Sequence, residues 1–238
     1  MYRLFCLQLL LFVGIVTFAQ QSSDSSSGLQ QVPIKVYYDA MGEQSPLYNG
    51  REYVEYSGTI QVGHPFYHTT EFTKGSIIYE GMLFNDAMIL YDIVKDKVII
   101  RHFNQIFRID LPVEKIQEFH LLNHHFIRLY PDSAGVIEEG FYDRMYEGKI
   151  KLFIKRKKLL VEERSGTDLL KVAEQKDLFY IQKQGIYHAV KTLKGLLNVF
   201  SSRSDAIRQH LRKNGIKFRK APETAVLTAV QYYDRLSN

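Results

Sequence analysis

Two histidine-rich stretches hold the side chains best suited to metal binding or proton transfer. The first, GHPFYH, places His64 and His68 four residues apart. Two imidazoles can share a zinc ion at about 2.0 to 2.1 Å, and a helix permits this at positions i and i+4 because those side chains lie one turn apart. The residues that follow, HTTEFT, include β-branched types that favour an extended chain instead.

An extended chain would separate the two imidazoles. At about 3.3 Å per residue, His64 and His68 of a strand face the same way but stand about 13 Å apart. We therefore predict a turn at residues 63–65 that leads into a strand, and no metal site at this stretch.

The second stretch, HLLNHH, places His120 and the pair His124 and His125 around a predicted hairpin turn at Asn123. Cross-strand partners can approach within about 5 Å, so two of these imidazoles could share an ion. The sequence shows no third ligand beside them, and it contains no HExxH, CxxC or aspartate-rich calcium loop. We predict imidazoles that cap a hairpin in solvent, with neither a metal ion nor a cofactor.

Acidic residues offer one route to catalysis. The chain has no GxSxG, Walker or GxGxxG motif, and its lone cysteine, Cys6, lies in the N-terminal apolar run. A glycosidase needs two carboxyl groups at a set separation. Candidates for such a pair are Glu138, Glu139, Asp143 and Glu147. We expect these acids to be solvated charges between strands, and a metal-independent, carboxylate-dependent hydrolase of an envelope glycan or ester remains the alternative.

Basic residues form the other candidate site. In the segment KIKLFIKRKK the lysines alternate with Ile150, Leu152 and Ile154, so a strand would set them in a row on one surface. Such a row could bind a lipid head group or an acidic glycan. It could also be a solvated face, or lysines that keep an edge strand from pairing with other chains. The predicted ligand-binding residues are Lys149, Lys151, Lys155, Lys157, Arg208, Arg212 and Lys213.

Residues 33–190 show a mostly period-two pattern. In IFRIDL, for example, Phe107, Ile109 and Leu111 alternate with Ile106, Arg108 and Asp110. Further predicted strands are IKVYY, GSIIYEGMLF, AMILYDI, KVIIRH, KIQEFHL, HFIRLY, IKLFIK, DLFYIQ and GIYHAV. Their short connections carry turn residues, which indicates antiparallel neighbours. The pattern predicts an α+β fold that is mainly antiparallel β, as a twisted sheet, a partly closed barrel or a sandwich.

Residues 191–238 change to helical periodicity and are predicted to pack on the β-rich body. One apolar stripe comprises Leu193, Leu196, Leu197 and Phe200. A second helix is predicted from Ser202, with Asp205 completing a capping box, to a stop at Asn214 and Gly215. A third begins at Pro222 and carries the stripe Val226, Val230 and Tyr233.

The N-terminal residues indicate export. Residues 1–19 combine Arg3, an apolar run and a small residue at Ala19, which is typical of a cleavable signal peptide. Residues 20–32, rich in serine and glutamine, are predicted to be a flexible spacer. After cleavage the chain would keep no cysteine and no transmembrane span. The formal net charge of +5, reduced by one with loss of Arg3, does not indicate a nucleic-acid partner.

Three blocks carry a resemblance to a known family: YEGMLFNDAMILYDIVKD, GFYDRMYEGK and LKGLLNVFSSRSDAIRQHLRKNGIKFRK. They resemble a family of uncharacterised, signal-peptide-bearing envelope proteins of Bacteroidota-type bacteria. The resemblance implies a Gram-negative envelope as the setting and implies no catalytic residue. Together these observations predict a secreted or periplasmic, non-enzymatic binding or assembly module, whose partner is an anionic envelope component or an envelope protein.

The signal-peptide interpretation makes a direct prediction. Protein recovered from its own cell envelope should begin at Gln20, because a signal peptidase cuts after a small residue such as Ala19. N-terminal sequencing measures this, and an intact Met1 would contradict it.

Overall fold

The computed structural model describes Gly42 and residues 45–236. The predicted signal peptide, the spacer and the predicted strand IKVYY lie outside these residues. The described part of the chain forms an open sheet of eleven strands, a separate two-stranded sheet and three C-terminal α-helices. In chain order the strands are β1 (Arg51–Glu52), β2 (Thr73–Tyr79), β3 (Met82–Asp92), β4 (Lys97–Arg101), β5 (Arg108–Asp110), β6 (Ile116–Leu121), β7 (His124–Leu129), β8 (Gly140–Glu147), β9 (Ile150–Lys155), β10 (Lys158–Ser165), β11 (Asp168–Gln175), β12 (Leu178–Lys183) and β13 (Ile186–Val190).

The large sheet is antiparallel throughout and has two free edges. Its strand order is β1-β5-β4-β3-β2-β6-β7-β8-β9-β12-β13, so β2 to β5 meander toward one edge and β6 onward toward the other. The hairpin of β10 and β11 leaves this sheet between β9 and β12. The predicted mainly antiparallel α+β class is confirmed, in the form of an open sheet.

Several strand predictions were wrong for local reasons. GSIIYEGMLF is two strands, because Glu80 and Gly81 adopt φ of +52° and +77° and form a two-residue hairpin turn. The segment GFYDRMYEGK, expected between strands, contains β8, whose buried Asp143 interrupts the apolar pattern. β9 lies between β8 and β12, so its lysines do not protect a sheet edge.

The helices begin and end close to their predicted positions. They are α1 (Leu193–Val199), α2 (Ser204–Lys213) and α3 (Pro222–Leu236). α2 ends as predicted at Asn214, with Gly215 at φ +67°. The capping box at Ser202 was wrong, because a short 3-10 turn precedes α2 and its N-cap, Arg203, makes no side-chain capping bond. Within the described residues no helix has the length and apolarity to cross a membrane.

The helices pack on one face of the sheet and bury the predicted stripes. Leu196, Leu197 and Phe200 lie in one core with Val226 and Val230. The strands supply the remaining contacts of this core through Ile150, Leu152, Ile154, Phe179 and Ile181. Leu193 and Tyr233 are only partly buried against it.

A group of aromatic side chains lies on the same face of the sheet, beyond the part that the helices cover. The rings of Phe119, Phe126 and Tyr91 stack or meet edge to face at centroid distances of 4.8 to 5.1 Å. Phe126 pairs across the strands with Asp143, and Asp143 with Ile154. Directly opposite residues share a face, so Asp143 lies between the aromatic group and the helix-covered core.

Replacing Phe200 tests the helical cover. Phe200 is 0% exposed and stacks on Tyr233 with ring centroids 4.5 Å apart. Phe200→Ala should lower the free energy of unfolding by about 3 kcal/mol, because it leaves a cavity in the core. Ile186→Ala is the control, since Ile186 is 60% exposed on the edge strand β13 and should change stability by about 0.5 kcal/mol or less. Urea denaturation measures both, and equal effects would contradict the packing.

Candidate functional site

A polar cavity of about 510 Å³ lies at the junction of the sheet, the β10–β11 hairpin and α3. Its walls combine imidazoles, cations, carboxylates, an amide and one phenol, all from segments far apart in the chain. The lining residues are His64, Tyr67, His68, His124, Arg156, Lys158, Gln175, Asp177 and Glu223. This convergence of charged and hydrogen-bonding side chains marks the cavity as the candidate site.

The chain bends at GHPFYH, so the strand predicted there was wrong. Gly63 and His68 adopt positive φ of +76° and +52°, and only an isolated bridge joins Phe66 to Asp92. The backbone N–H of Tyr67 donates to Tyr91 at 2.8 Å, which fixes the bend on the sheet. His64 and His68 therefore line the same cavity, although an extended chain would have held them apart.

Arg156 is the structural centre of the site. Its side chain is 5% exposed, and its guanidinium donates to three carboxylates, from β8, from the connection between β11 and β12, and from α3. Nε and Nη2 donate to Asp143 Oδ2 of β8 at 2.9 and 2.7 Å. Nη1 donates to Asp177 at 2.9 Å and to Glu223 of α3 at 2.5 Å. Burial would lower the pKa of Arg156, but Glu223 and Asp143 raise it, so the cation is held in its charged form.

Asp143 in turn orients His124. Nδ1 of His124 lies 2.7 Å from Asp143 Oδ2, and the aspartate side chain is 1% exposed. An ionised carboxylate can only accept this bond, so a proton lies on Nδ1, and in the neutral tautomer Nε2 is then the acceptor. The pair therefore has the arrangement of a general base, able to take a proton from water or from a bound hydroxyl group.

The GHPFYH segment forms a neighbouring wall, with Tyr67 edge to face on His124, and two of its buried polar atoms have no hydrogen-bond partner in the described part of the chain. These are His64 Nδ1 and the Tyr67 hydroxyl. Lys158 Nζ donates to the carbonyl oxygens of His64 and Phe66, both at 2.8 Å, and so holds this wall in place. The Tyr67 ring packs edge to face on Phe126, with centroids 5.2 Å apart.

Burial sets the protonation of this wall. It lowers the pKa of His64, with help from the charge of Lys158, and it also lowers the pKa of Lys158. The pKa of His68 is lowered by burial and by the neighbouring His124 and Arg156. Both His64 and His68 are therefore neutral at pH 7. Among the other lining residues two cations, Arg156 and Lys158, match two anions, Asp177 and Glu223.

The seven basic residues predicted to bind a ligand, all within the described residues, do not line this cavity. Lys151 pairs with Glu147 at 2.7 Å, and Lys155 pairs with Asp96. Lys149 lies in the turn before β9 and Lys157 between β9 and β10. Arg208, Arg212 and Lys213 are exposed on α2. The predicted row is interrupted, because Phe153 lies between Lys151 and Lys155.

The predicted carboxylate candidates also have other roles. Asp143 is buried against Arg156 and not solvated, which corrects the expectation for that residue. Glu139 pairs with Arg128, and Glu147 pairs with Arg144 at 2.9 Å. The acids that do line the cavity, Asp177 and Glu223, lie outside the predicted set. Sequence inspection missed them because each is a single acid near a helix start or in a two-residue connection.

The HLLNHH stretch forms the predicted hairpin turn, with φ of +50° at Leu122 and +64° at Asn123. Its histidines separate, however: His124 enters the cavity, whereas His120 and His125 lie beside Glu118. Glu118 offers the third ligand atom beside these two histidines, which the sequence analysis did not identify.

Comparisons with protein-family models, curated proteins and solved structures found no match. The resemblance to the envelope family therefore stays a prediction.

Removing the guanidinium tests the organisation of the site. Arg156→Met should lower the free energy of unfolding by about 3 to 5 kcal/mol, because Asp143 would remain buried without its cation. Adding Asp143→Asn should restore part of this loss by removing the unpaired charge. Arg208→Met, on the exposed face of α2, serves as the control. Guanidinium chloride would screen the charges, so the unfolding is followed in urea, and a loss below about 1 kcal/mol would contradict the buried cluster.

Proposed function

We propose that the chain is a secreted or periplasmic binding module of the bacterial cell envelope, which takes a polar, sugar-sized ligand in the cavity. The observation that carries this proposal is that two cavity-lining residues, His64 and Tyr67, each bury a polar atom, Nδ1 and the hydroxyl, that lacks a hydrogen-bond partner in the described residues. Such groups cost about 1 to 3 kcal/mol each when unpaired, so few are kept without a role. A ligand in the cavity would recover this cost if the two side chains turned these atoms toward it to form hydrogen bonds.

The chemistry of the lining favours a neutral polar ligand. A volume of about 510 Å³ falls within the usual range of small-molecule sites, about 300 to 1,000 Å³. Equal numbers of cations and anions line the walls, which gives no preference for a net charge. Gln175, Asp177 and Glu223 offer planar hydrogen-bonding groups suited to hydroxyls. A fragment of an envelope glycan has this character.

This ligand differs from the anionic component predicted from the basic residues. Lys151 and Lys155 are engaged in ion pairs with Glu147 and Asp96, which weakens the case for a cationic row. The envelope setting is supported by the signal-like residues 1–19 and by the family resemblance.

A second candidate function, hydrolysis of the bound glycan, is favoured by the pair of His124 and Asp143. The cavity acids Asp177 and Glu223 both accept hydrogen bonds from Arg156, whereas a glycosidase needs one carboxyl group that donates a proton. In a hydrolase His124 would therefore act as the general base that deprotonates water.

Ligand-observed NMR tests the binding proposal. The probes are neutral mono- and disaccharides, their N-acetylated forms and the matching uronic acids. We expect the protein to bind a neutral sugar, and Tyr67→Phe to weaken that binding about tenfold, because it removes one hydrogen bond while the ring stays packed. Tyr130→Phe is the control, since Tyr130 is 64% exposed and does not line the cavity.

The same samples separate binding from catalysis. A sugar recovered intact supports the binding module. Cleavage that His124→Gln abolishes, with binding retained, would favour the hydrolase. Binding that survives both Tyr67→Phe and His64→Gln unchanged would contradict the assignment of the cavity.

A further inference from the structure

We propose that Glu118, His120 and His125 form a second site, which binds a divalent transition-metal ion such as Zn²⁺. One ligand atom from each of these residues lies within 4.8 Å of the others. Within the described residues this is the one group of three or more such side chains that meets this spacing.

Strand register brings the three side chains together. His120 on β6 lies directly opposite His125 on β7, and Glu118 precedes His120 by two residues on the same strand. Residues two apart on a strand share a face, so all three project from one side of the sheet. The intervening pair, Phe119 and Phe126, points to the aromatic core on the cavity side. The proposed metal site therefore lies on the opposite face from the cavity and does not depend on the proposed function.

The donor set suits a metal with an open coordination position. Two imidazoles and one carboxylate are the protein ligands of several catalytic zinc ions, whose fourth position is left to water or substrate. A surface hollow of about 510 Å³ borders His120 and provides space for such a group. His120 is exposed, so its ring is free to turn from the present stacking on His125, at 4.1 Å between centroids, toward a shared ion.

A buried nitrogen points to the same position. His125 Nε2 lies 3.1 Å from a Glu118 oxygen, yet it lacks the alignment of a hydrogen bond and has no other partner in the described residues. A metal ion between the imidazole and the carboxylate would satisfy both groups.

Arg144 acts as a competitor for this ion. Its Nη2 lies 2.8 Å from His125 Nδ1, and Nη1 lies 2.9 Å from Glu147. A guanidinium can only donate, so His125 Nδ1 accepts and the ring proton lies on Nε2, where the metal must bind. A metal ion on Nε2 would displace the proton there, and the neutral ring would then carry its proton on Nδ1. Because Arg144 can only donate to Nδ1, it would have to turn away. Its side chain is 27% exposed, which leaves room for that movement.

Zinc titration of metal-stripped protein tests the site. Isothermal titration calorimetry and native mass spectrometry with ZnSO₄ should show one Zn²⁺ per chain. His120→Ala and Glu118→Gln should each weaken binding at least tenfold, and Arg144→Met should strengthen it at least tenfold. His188→Ala on β13 is the matched control and should leave the affinity unchanged. Because His120 is exposed, its variant is expected to fold normally, which circular dichroism verifies.

Two outcomes would overturn the metal site, and a third would overturn the role of Arg144. The first is no zinc binding by either the wild type or Arg144→Met. The second is one bound Zn²⁺ that survives His120→Ala and is lost when His64 and His68 are replaced, which would move the ion to the cavity. The third, tight binding unaffected by Arg144→Met, would overturn the role of Arg144 as a competitor. Sugar binding by the cavity should be the same in the His120→Ala, Glu118→Gln and Arg144→Met variants, none of which alters a cavity-lining residue, so the two proposals fail separately.

Discussion

The buried guanidinium of Arg156 is the constraint on which the site depends. A cation with 5% exposure would cost several kcal/mol without partners, and three carboxylates from separate parts of the chain are those partners. Asp143 fixes β8, Asp177 fixes the return of the β10–β11 hairpin, and Glu223 fixes the first turn of α3. Glu223 also lies where the dipole of α3 favours an anion. Through these three ion pairs, one side chain connects the sheet, the hairpin and the helix around the cavity.

The same cluster gives the cavity its chemistry. Asp143 accepts hydrogen bonds from Arg156 and also orients His124. The carboxylate that helps to position the sheet, the hairpin and α3 therefore also places a proton on Nδ1 of the imidazole. A second buried aspartate, Asp92, works similarly at the end of β3. It accepts hydrogen bonds from the hydroxyls of Tyr53 and Tyr56, at 2.8 Å and 2.7 Å, and so holds the segment before the histidine-bearing bend. In both places a buried aspartate fixes the position of chain segments that lie outside regular strands and helices. Apolar packing alone does not orient such segments.

Strand alternation distributes the histidines between two sites. His124 and His125 are neighbours in β7, yet one faces Asp143 in the cavity and the other faces Glu118 and Arg144 on the reverse side. Their local settings differ accordingly. Asp143 holds an imidazole proton on the nitrogen beside it, whereas Arg144 excludes a proton from the nitrogen that it contacts. Adjacent residues of one type can thus have unrelated roles when a strand separates their side chains.

The sequence by itself determined the features that depend on near neighbours. Period-two positions such as Ile109 and Leu111, and the stripe of Leu196, Leu197 and Phe200, record which face of an element is buried, so the antiparallel class and the helical cover could be predicted. Only the tertiary structure decided the site. Arg156 reads as one more cation in a basic run, and its partners lie 13, 21 and 67 residues away, at separations that no local period encodes. The bend at His64 and His68 likewise depends on contacts with β3 and with Lys158, which override the extended preference of the β-branched residues beside it. Cross-strand register, which the structure alone supplies, is also what places Glu118 beside His120 and His125.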